Sequence, residues 1–435
     1  KEIDYDGSKD TTYTGKGGIK LNLFNRLLFA LRNQDFNMLV SGYVSSDSKL
    51  LINRNIITRA QKAVPFLTVD QDPYMLLTSD GRLKWILDAY TTSDYYPYSQ
   101  DASEYGSFNY IRNSVKIVID AYDGSVSYYI IDKNDPIVEM YNKAYPGLFS
   151  KDPLPADIAS HLRYPELLFK IQSEMLRRYH LDPNVAENPQ KFYDNQDKWD
   201  IPQLQAGGQD SQTQNMDPYY NMVKMPGGVS DKEELVLMRP FTPSNKNNMT
   251  SWLSVRSNTL SNYGQLVLFS FSNNTNIYGP NQVQSKINQI EQISSDMTLW
   301  GQRGSSAYMG NLLVIPVEDT VLYVEPVYVR AEGASSIPEV KEIVVGYQDG
   351  EEFRYGIGTN LNDAISKMFP ASIPAQPNPN TSQTQTQTQT PQTQTTQPDT
   401  SKQGDQKLYN DIRSKYDEMK KQLDELGKLI DQMKQ

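Results

Sequence analysis

A long tract without core-forming side chains, near the C-terminal end, limits most strongly what this chain can fold into. From Pro370 to Gly404 the sequence is dominated by Pro, Gln, Thr, Ser and Asn, with repeated Gln-Thr pairs. Such a composition buries too little apolar surface to offset the entropy that is lost when a chain is ordered. We therefore predict a disordered Pro/Gln/Thr linker over 370–404, which separates a folded body from one further element.

That further element is an amphipathic heptad helix, predicted over 405–435. Its apolar residues step by three and four positions, the spacing of a coiled-coil seam, in a highly charged background. An isolated helix of this length is marginal in water, so the stripe needs a partner, either its own folded body or a second copy. Because the linker holds the helix near its own body, we expect the isolated chain to be mainly monomeric. The predicted partner-binding residues are Tyr409, Ile412, Tyr416, Met419, Leu423, Leu426, Ile430 and Met433.

The folded body has the pattern of a mixed α+β fold with antiparallel hairpins, arranged in two subdomains. The first, 1–202, contains two Asp-Gly pairs, Asp80-Gly81 and Asp123-Gly124, each between two apolar runs, which is a strong hairpin signal. Residues 203–215 are polar and without periodicity, so they are predicted to be a linker. The strand-rich second subdomain, 216–369, is predicted to contain five strands, a helix between the second and third, and a short closing helix.

Helical periodicity marks two further elements of the first subdomain. Apolar residues between Leu21 and Leu31, and again between Leu167 and Tyr179, recur at the spacing of one helix face. In the second subdomain Pro316 and Pro326 interrupt strand patterns. Because proline cannot donate to a sheet ladder, those strands are expected at edges or next to bulges.

Charge and composition exclude several function classes. Forty-two Lys and Arg against 52 Asp and Glu give a net charge of −10, which opposes general attraction to nucleic acid. The absence of Cys excludes disulfides, thiolate nucleophiles and Cys-based metal centres. His161 and His180 are the only imidazoles and are predicted to be structural or surface residues. No run is apolar and long enough to cross a membrane.

A candidate anion site precedes the first predicted helix. Gly15, Lys16, Gly17 and Gly18 could direct backbone amides at an anion near a helix start, with Lys20 adding charge. The competing interpretation of the same residues is a lead-in turn.

Closely spaced carboxylates make up the candidate metal site, which consists of Asp70, Asp72, Asp120 and Asp123. Carboxylate oxygens suit Ca²⁺, although Asp next to Gly or Pro is above all a turn former. We therefore expect no cofactor, with Ca²⁺ as the alternative. No Walker loop, G-x-S-x-G or H-E-x-x-H motif occurs, so no catalytic residue is assigned.

Several long strings resemble one protein family. They include YTGKGG, NRLLFALR, RAQKAVPFLTVDQDPY, LRYPELLFKIQSEMLRRYH and MRPFTPSNKNNM. Over residues 1–370 the chain resembles the large extracytoplasmic segment of uncharacterised protein family 0182, which comprises bacterial multi-pass membrane proteins. The resemblance implies a location at the extracytoplasmic face of the cell membrane and transmembrane helices ahead of this segment, which agrees with a chain that begins at Lys1 without Met. It implies no established activity.

Three functions follow as hypotheses. The first is a non-enzymatic binding module in the cell envelope, with an envelope protein, polymer or lipid and its own transmembrane domain as partners. The second is an envelope hydrolase that uses the Asp clusters, with or without a divalent metal. The third is a structural cap on the membrane domain. The hydrolase requires six residues to converge in one pocket: Asp70, Asp72, Asp88, Asp94, Asp120 and Asp123.

Overall fold

The computed structural model describes most of the chain up to Phe369. The described residues are 2–3, 10–11, 13–180, 189–195, 198–205, 213–257, 261–272, 276–302, 304–317, 320–333 and 335–369. They form helices and antiparallel sheets, so the predicted α+β class is confirmed. The predicted linker over 370–404 and the predicted heptad helix over 405–435 lie outside the described residues.

The described residues fall into two compact units, which divide the chain differently from the predicted subdomains. The first unit comprises those of 1–174 together with the excursion 255–265, and the second comprises those of 175–254 and 266–435. The return of 255–265 to the first unit depends on tertiary contacts, so no local composition shift marks it. Within the predicted linker 203–215, the described ends pair as two short strands.

In the first unit, short strands alternate with helices along the chain up to Ala63, and the strands of the central sheet follow. In chain order its elements are β1 (Glu2–Ile3), β2 (Asp10–Thr11), β3 (Ile19–Lys20), α1 (Leu23–Asn33), α2 (Asn37–Val40), β4 (Lys49–Leu50), α3 (Ile56–Ala63), β5 (Thr68–Val69), β6 (Tyr74–Leu77), β7 (Leu83–Ser93), β8 (Tyr110–Asp120), β9 (Val126–Ile130), α4 (Pro136–Ala144), α5 (Ala156–Ala159) and α6 (Glu166–Tyr179), the last of which runs into the range of the second unit. The central sheet has the antiparallel order β5-β7-β8-β9, and β6 also pairs with β7. Both predicted Asp-Gly hairpins are confirmed, as β6–β7 and β8–β9.

Strand alternation gives the central sheet two buried faces. On the face that we call the α3 face, Leu87 and Ile117 pack with Ala60 of α3. On the opposite face, the α5 face, Ile86 packs in a cluster with Ile158 of α5. Because β7 and β8 are covered on both sides, a polar side chain in their central part is buried whichever way it points.

A β-bulge interrupts the pairing of the two central strands. The register of β7 and β8 shifts between Ala89 and Tyr90, which leaves Ser114 as an extra residue. A bulge of this kind changes which face the following side chains occupy. It brings Asn113 and Lys116, three residues apart, to the same acceptor in the buried cluster described below.

The second unit contains two five-stranded sheets and the remaining described helices. In chain order its elements are α7 (Pro189–Tyr193), β10 (Trp199–Asp200), β11 (Gln203–Gln205), β12 (Thr213–Asn215), β13 (Tyr219–Lys224), β14 (Glu233–Pro243), β15 (Asn248–Met249), β16 (Ser251–Arg256), β17 (Leu266–Ser270), β18 (Ile277–Tyr278), α8 (Pro280–Asn288), α9 (Glu291–Trp300), β19 (Ser305–Met309), β20 (Leu313–Val317), β21 (Thr320–Ala331), β22 (Glu339–Asp349), β23 (Glu352–Gly358) and α10 (Leu361–Met368). The last two residues of β16 belong to the range of the first unit. One sheet has the order β10-β14-β16-β17 with β13 on β14, and the other has β19-β21-β22-β23 with β20 on β21.

The two prolines of the second unit show how a sheet accommodates a missing donor. Pro316 lies on β20, which pairs with β21 alone among the described strands, as expected for an edge strand. Pro326 lies in the central strand β21, where the edge expectation fails. It occurs where β21 passes from its β20 partner to its β19 partner, next to a register shift between Val327 and Tyr328, so the bulge expectation holds.

Candidate functional site

A cavity of about 770 Å³ opens in the first unit where β8 turns into β9. It lies at the end of the α3 face, and Trp85 and Ile119 form part of its wall. We call it the Tyr13 cavity. Its apolar walls consist of Ile19, Leu50, Leu51, Ile52, Ile56, Ala63, Trp85, Ile119, Ala121 and Val126, and its polar residues are Tyr13, Asn53, Arg54, Arg59, Asp120, Tyr122 and Asp123, with Gly18 and Gly124 completing the lining.

The segment proposed as an anion cradle borders this cavity through one residue, Gly18. A Cβ atom on Gly17 would lie 2.2 Å from the carbonyl oxygen of Asp123, so only glycine fits there. The carbonyl of Gly15 accepts a hydrogen bond of 2.7 Å from Lys49 Nζ. Gly18 lines the cavity with φ +96°, a left-handed conformation that favours glycine. These glycines therefore have packing and backbone reasons independent of any anion.

The positive end of α1 is already occupied by a side chain. Asn22 is the N-cap, and its Oδ1 accepts a hydrogen bond of 2.8 Å from the amide of Asn25. Lys16 and Lys20 are exposed, and their ammonium groups make no hydrogen bond or ion pair with any other described residue. An anion site at Gly15, Lys16, Gly17, Gly18 and Lys20 remains a prediction.

The Asp-Gly turn on the opposite side of the cavity is held by a carboxylate. Asp120 accepts 2.5 Å from Lys84 Nζ and also hydrogen bonds from the amides of Tyr122 and Asp123. Burial opposes ionisation of Asp120, but the Lys84 hydrogen bond and the two amides outweigh it and lower its pKa to about 2. Asp120 is therefore ionised at neutral pH and engaged as a structural acceptor.

The two arginines of the cavity differ in their engagement. Arg59 donates to three backbone carbonyls, at 2.6 Å to Gly124 and at 3.2 Å to both Ile52 and Asn53. These bonds close the loop against the β8–β9 turn. Arg54 is exposed and makes no hydrogen bond or ion pair within the described part of the chain. Arg54 is thus the cation that a ligand in the cavity could meet without displacing a partner.

Two tyrosines lie together at the polar edge of the cavity. The rings of Tyr13 and Tyr122 are 5.2 Å apart between centroids, and the hydroxyl of Tyr122 accepts a 3.0 Å hydrogen bond from the amide of Thr14. Together with Trp85 they give the cavity flat aromatic surfaces beside aliphatic walls. A cavity of this size, lined by apolar and polar side chains in similar measure, can accommodate a small ligand that has both apolar and polar parts.

A second polar cluster of the first unit is buried on the α5 face. Lys116 and Asp88 form an ion pair with side chains 0% and 4% exposed. Asn113 also donates to the Asp88 carboxylate, at 2.5 Å. The ammonium of Lys116 further reaches the carbonyl of Arg163 at 3.2 Å and lies 4.9 Å from the ring centroid of Tyr263. Burial lowers the pKa of Lys116, and the neighbouring Asp88 opposes that change.

The residues on the outer side of this cluster are linked by hydrogen bonds and by a cation–ring contact. The Arg163 guanidinium donates to Asp72 Oδ2 at 2.7 Å and lies 4.4 Å from the ring centroid of Tyr74. The hydroxyl of the fully buried Tyr90 donates to Asp70. Asp70 is also buried, so the carboxylates of Asp70 and Asp88 both meet donors of the protein itself, whereas the side-chain oxygen of Asn113 is buried without a hydrogen-bond partner among the described residues. We interpret it as a structural network.

The six Asp residues that the hydrolase hypothesis requires fall into separate groups. Asp70 and Asp88 are neighbours, since the Asp70 amide donates to the Asp88 carbonyl at 2.9 Å. Asp120 pairs with Lys84, which lies four residues before Asp88 on β7. At 3.3 Å per residue, the backbone positions of Asp120 and Asp88 are therefore about 13 Å apart along the strand direction. Exposed Asp94 follows the far end of that strand.

The predicted metal ligands divide in the same way. Asp70 and Asp72 lie beside the buried cluster, whereas Asp120 and Asp123 lie at the cavity. Across the described ranges, no three His, Asp or Glu side chains are placed so that they could hold a metal ion. Calcium binding at Asp70, Asp72, Asp120 and Asp123 remains a prediction without a gathered ligand set.

The two histidines lie apart from the cavity lining. His161 Nδ1 lies 2.7 Å from the carbonyl oxygen of Asp157, within one turn of chain. The ring of His180 stacks on Trp199 with centroids 3.6 Å apart.

The cavity residues that sequence reasoning missed are Tyr13, Arg54, Trp85 and Tyr122. They come from segments that no motif connects, and only tertiary packing brings them together. One signal was available: Tyr122 lies between Asp120 and the Asp-Gly pair of a predicted hairpin, and this position alone puts an aromatic side chain next to that turn.

Comparison with known proteins places the chain in a family. A family model described as Uncharacterised protein family (UPF0182) matches residues 1–300. A UPF0182 protein of Caldicellulosiruptor saccharolyticus is 46% identical over 370 residues, which is 84% of this chain and 39% of that protein. UPF0182 proteins of Methanospirillum hungatei and Moorella thermoacetica are 42% and 43% identical, and the match covers 85% and 86% of this chain and 40% of each of them.

The chain thus spans about 40% of the length of the curated relatives that it matches. No solved structure matches it. Among the described helices, none combines the length and apolar content that crossing a membrane requires. The family model covers more than half of the chain and the relatives are more than 40% identical, so the chain belongs to the Uncharacterised protein family (UPF0182).

Proposed function

We propose that the chain is a non-enzymatic binding module of the cell envelope, outside the cytoplasmic membrane, which takes an amphipathic ligand in the Tyr13 cavity. The observation that carries the proposal is the cavity itself, about 770 Å³ with aliphatic and aromatic walls. Arg54, a cation without a partner among the described residues, lies at this cavity. The apolar part of a ligand would pack near Trp85, and its polar, anionic end would meet Arg54.

The carboxylates support binding rather than hydrolysis. Asp88 is bound to Lys116 and Asn113, and Asp120 is bound to Lys84 and two amides. A general acid or base needs a proton site that a substrate can reach. These two carboxylates are instead occupied by their own neighbours. The hydrolase therefore stays the alternative without a geometric observation in its favour.

Filling the cavity should abolish ligand binding without unfolding the protein. The probe is 1-anilinonaphthalene-8-sulfonate, an apolar anion, and the readout is energy transfer from tryptophan. Ala63 is the last residue of α3, is exposed and lines the cavity, so Ala63→Phe adds volume there without displacing core atoms. We expect this change to weaken probe binding by about tenfold, and Arg54→Gln to weaken it by several-fold through loss of the charge.

The matched control is Thr58→Phe, which places the same ring on an exposed position of the same helix outside the cavity lining. We expect Thr58→Phe to bind the probe like the parent. Equal probe binding by Ala63→Phe and Thr58→Phe, with unchanged melting temperatures, would refute the cavity as the binding site.

The location is tested by labelling an introduced cysteine. The chain contains no Cys, and Lys151 is exposed without a partner among the described residues, so Lys151→Cys adds one accessible thiol. In the full-length protein, with any cysteines beyond this chain replaced, a membrane-impermeant maleimide should label intact cells as fully as permeabilised cells. Labelling that requires permeabilisation would contradict the extracytoplasmic location.

A further inference from the structure

The first unit exposes an apolar helix face that its own core does not use. On α1, five large apolar side chains are between 46% and 79% exposed, whereas Ala30 is buried. They occupy one face of the helix and are Leu23, Phe24, Leu27, Leu28 and Leu31. Phe36 and Val40, at 73% and 80% exposed, extend the apolar surface onto the segment around α2. Single exposed apolar residues are ordinary, but a group of this size marks an interaction surface.

This surface is fixed to the unit rather than trailing from it. Arg26 of α1 donates at 3.0 Å to the carbonyl of Met38 and at 2.8 Å to that of Leu39, which ties α2 to α1. Asn22 caps the start of α1, and buried Leu21 precedes it. The apolar face is therefore presented by a formed helix pair.

The charge around the surface differs in sign from that of the rest of the chain. Residues 13–62 contain eight Lys or Arg, two Asp and no Glu, a net charge of +6, although the whole chain carries −10. Lys16 and Lys20 on the approach to α1 and Arg32 in its last turn are exposed. An amphipathic helix with Phe and Leu on one face and basic residues around it is typical of helices that lie in the plane of a membrane interface.

We propose that the α1–α2 face rests on an anionic lipid bilayer, with the five apolar side chains of α1 inserted among the acyl chains and Lys16, Lys20 and Arg32 near the headgroups. Eleven residues of helix are about 16 Å long, too short to cross a bilayer of about 30 Å but suited to lie in its surface. A second copy of the chain is disfavoured as the occupant, because a two-fold contact through this face would bring two regions of +6 together. The proposal does not depend on whether the Tyr13 cavity holds a ligand.

The test is cosedimentation of the 435-residue chain with vesicles, either of phosphatidylcholine alone or containing 30% phosphatidylglycerol. We expect binding to the anionic vesicles that weakens as salt is raised. The double variant Phe24→Asp/Leu31→Asp should reduce that binding about tenfold or more, and Lys16→Glu/Lys20→Glu should reduce it several-fold. Both variants should keep the parent melting temperature, because the altered side chains are exposed.

The matched control is Leu299→Asp/Ile337→Asp, which removes two exposed apolar side chains of the second unit, 64% and 86% exposed. It should bind anionic vesicles like the parent. The proposal is overturned if the parent chain does not bind anionic vesicles, or if this control loses binding as much as Phe24→Asp/Leu31→Asp. It is also overturned if the parent is a dimer by ultracentrifugation that Phe24→Asp/Leu31→Asp converts to monomer without any vesicle binding, since a second copy would then occupy the face.

Discussion

Lys116→Met should lower the free energy of unfolding of the first unit by about 3–5 kcal/mol, because it leaves Asp88 buried without its counter-charge. Lys116 is fully buried and its ammonium donates to the Asp88 carboxylate and to the carbonyl of Arg163. Asn113 remains as a donor to Asp88 but cannot neutralise it. The effect is measured by urea unfolding, as the change in the free energy of the transition whose midpoint differs between this variant and the parent.

The matched control and the double variant separate the lost charge pair from lost packing. Lys133 is exposed and has no partner among the described residues, so Lys133→Met should change stability by less than about 0.5 kcal/mol. Lys116→Met/Asp88→Leu removes both charges and should recover most of the loss. If Lys116→Met is no more destabilising than Lys133→Met, the pair does not hold the α5 face together.

Stability of the second unit should fall as pH rises from about 4.5 to about 7, because of one carboxyl. Glu325 on β21 is fully buried, and burial raises its pKa to about 7 against the opposing effect of a 2.9 Å hydrogen bond from Gln284. The folded state therefore retains the proton over a range where the unfolded state, with a pKa of 4.5, loses it. At 1.36 kcal/mol per pKa unit, the difference between the two pKa values lowers the free energy of unfolding by about 3 kcal/mol. This loss is complete above pH 7 and absent below pH 4.5.

Glu325→Gln should abolish that dependence. The variant should match the parent near pH 4.5 and exceed it by about 3 kcal/mol at pH 8, since its neutral amide can still accept the hydrogen bond from Gln284. Glu332→Gln, at an exposed position of the same unit, is the control and should leave the dependence unchanged. Thermal unfolding of the three proteins at pH 5 and pH 8 decides the matter. If the difference in stability between the parent and Glu325→Gln is the same at pH 5 and at pH 8, the titration of Glu325 is contradicted.

Local sequence signals predicted individual helices and strands better than they predicted how those elements end and pack. The Asp-Gly pairs fixed both hairpins of the first unit because a two-strand turn depends on a few neighbouring residues. The single helix predicted between the second and third strands of the second subdomain is instead two helices, α8 and α9, and the chain adopts extended backbone at Ile290 between them. The apolar period there continues across the break, so periodicity alone did not reveal it.

The candidate site depended on information that no short window contains. The bulge at Ser114 sets which side chains meet Asp88, and it results from pairing between β7 and β8. The Tyr13 cavity joins residues more than 100 positions apart along the chain, such as Tyr13 and Tyr122. Periodicity did predict the amphipathic helix α1, but an amphipathic pattern does not state whether its apolar face meets protein or lipid.

Photo-crosslinking in living cells tests the binding-module proposal most directly. p-Benzoylphenylalanine would replace Ala63, at the cavity, or Thr58, on the same helix outside it, in the full-length protein. After irradiation, the protein altered at position 63 should gain the mass of a small amphiphile, and the protein altered at position 58 should not. Equal adducts at both positions, or no small-molecule adduct at position 63, would contradict a ligand-binding cavity.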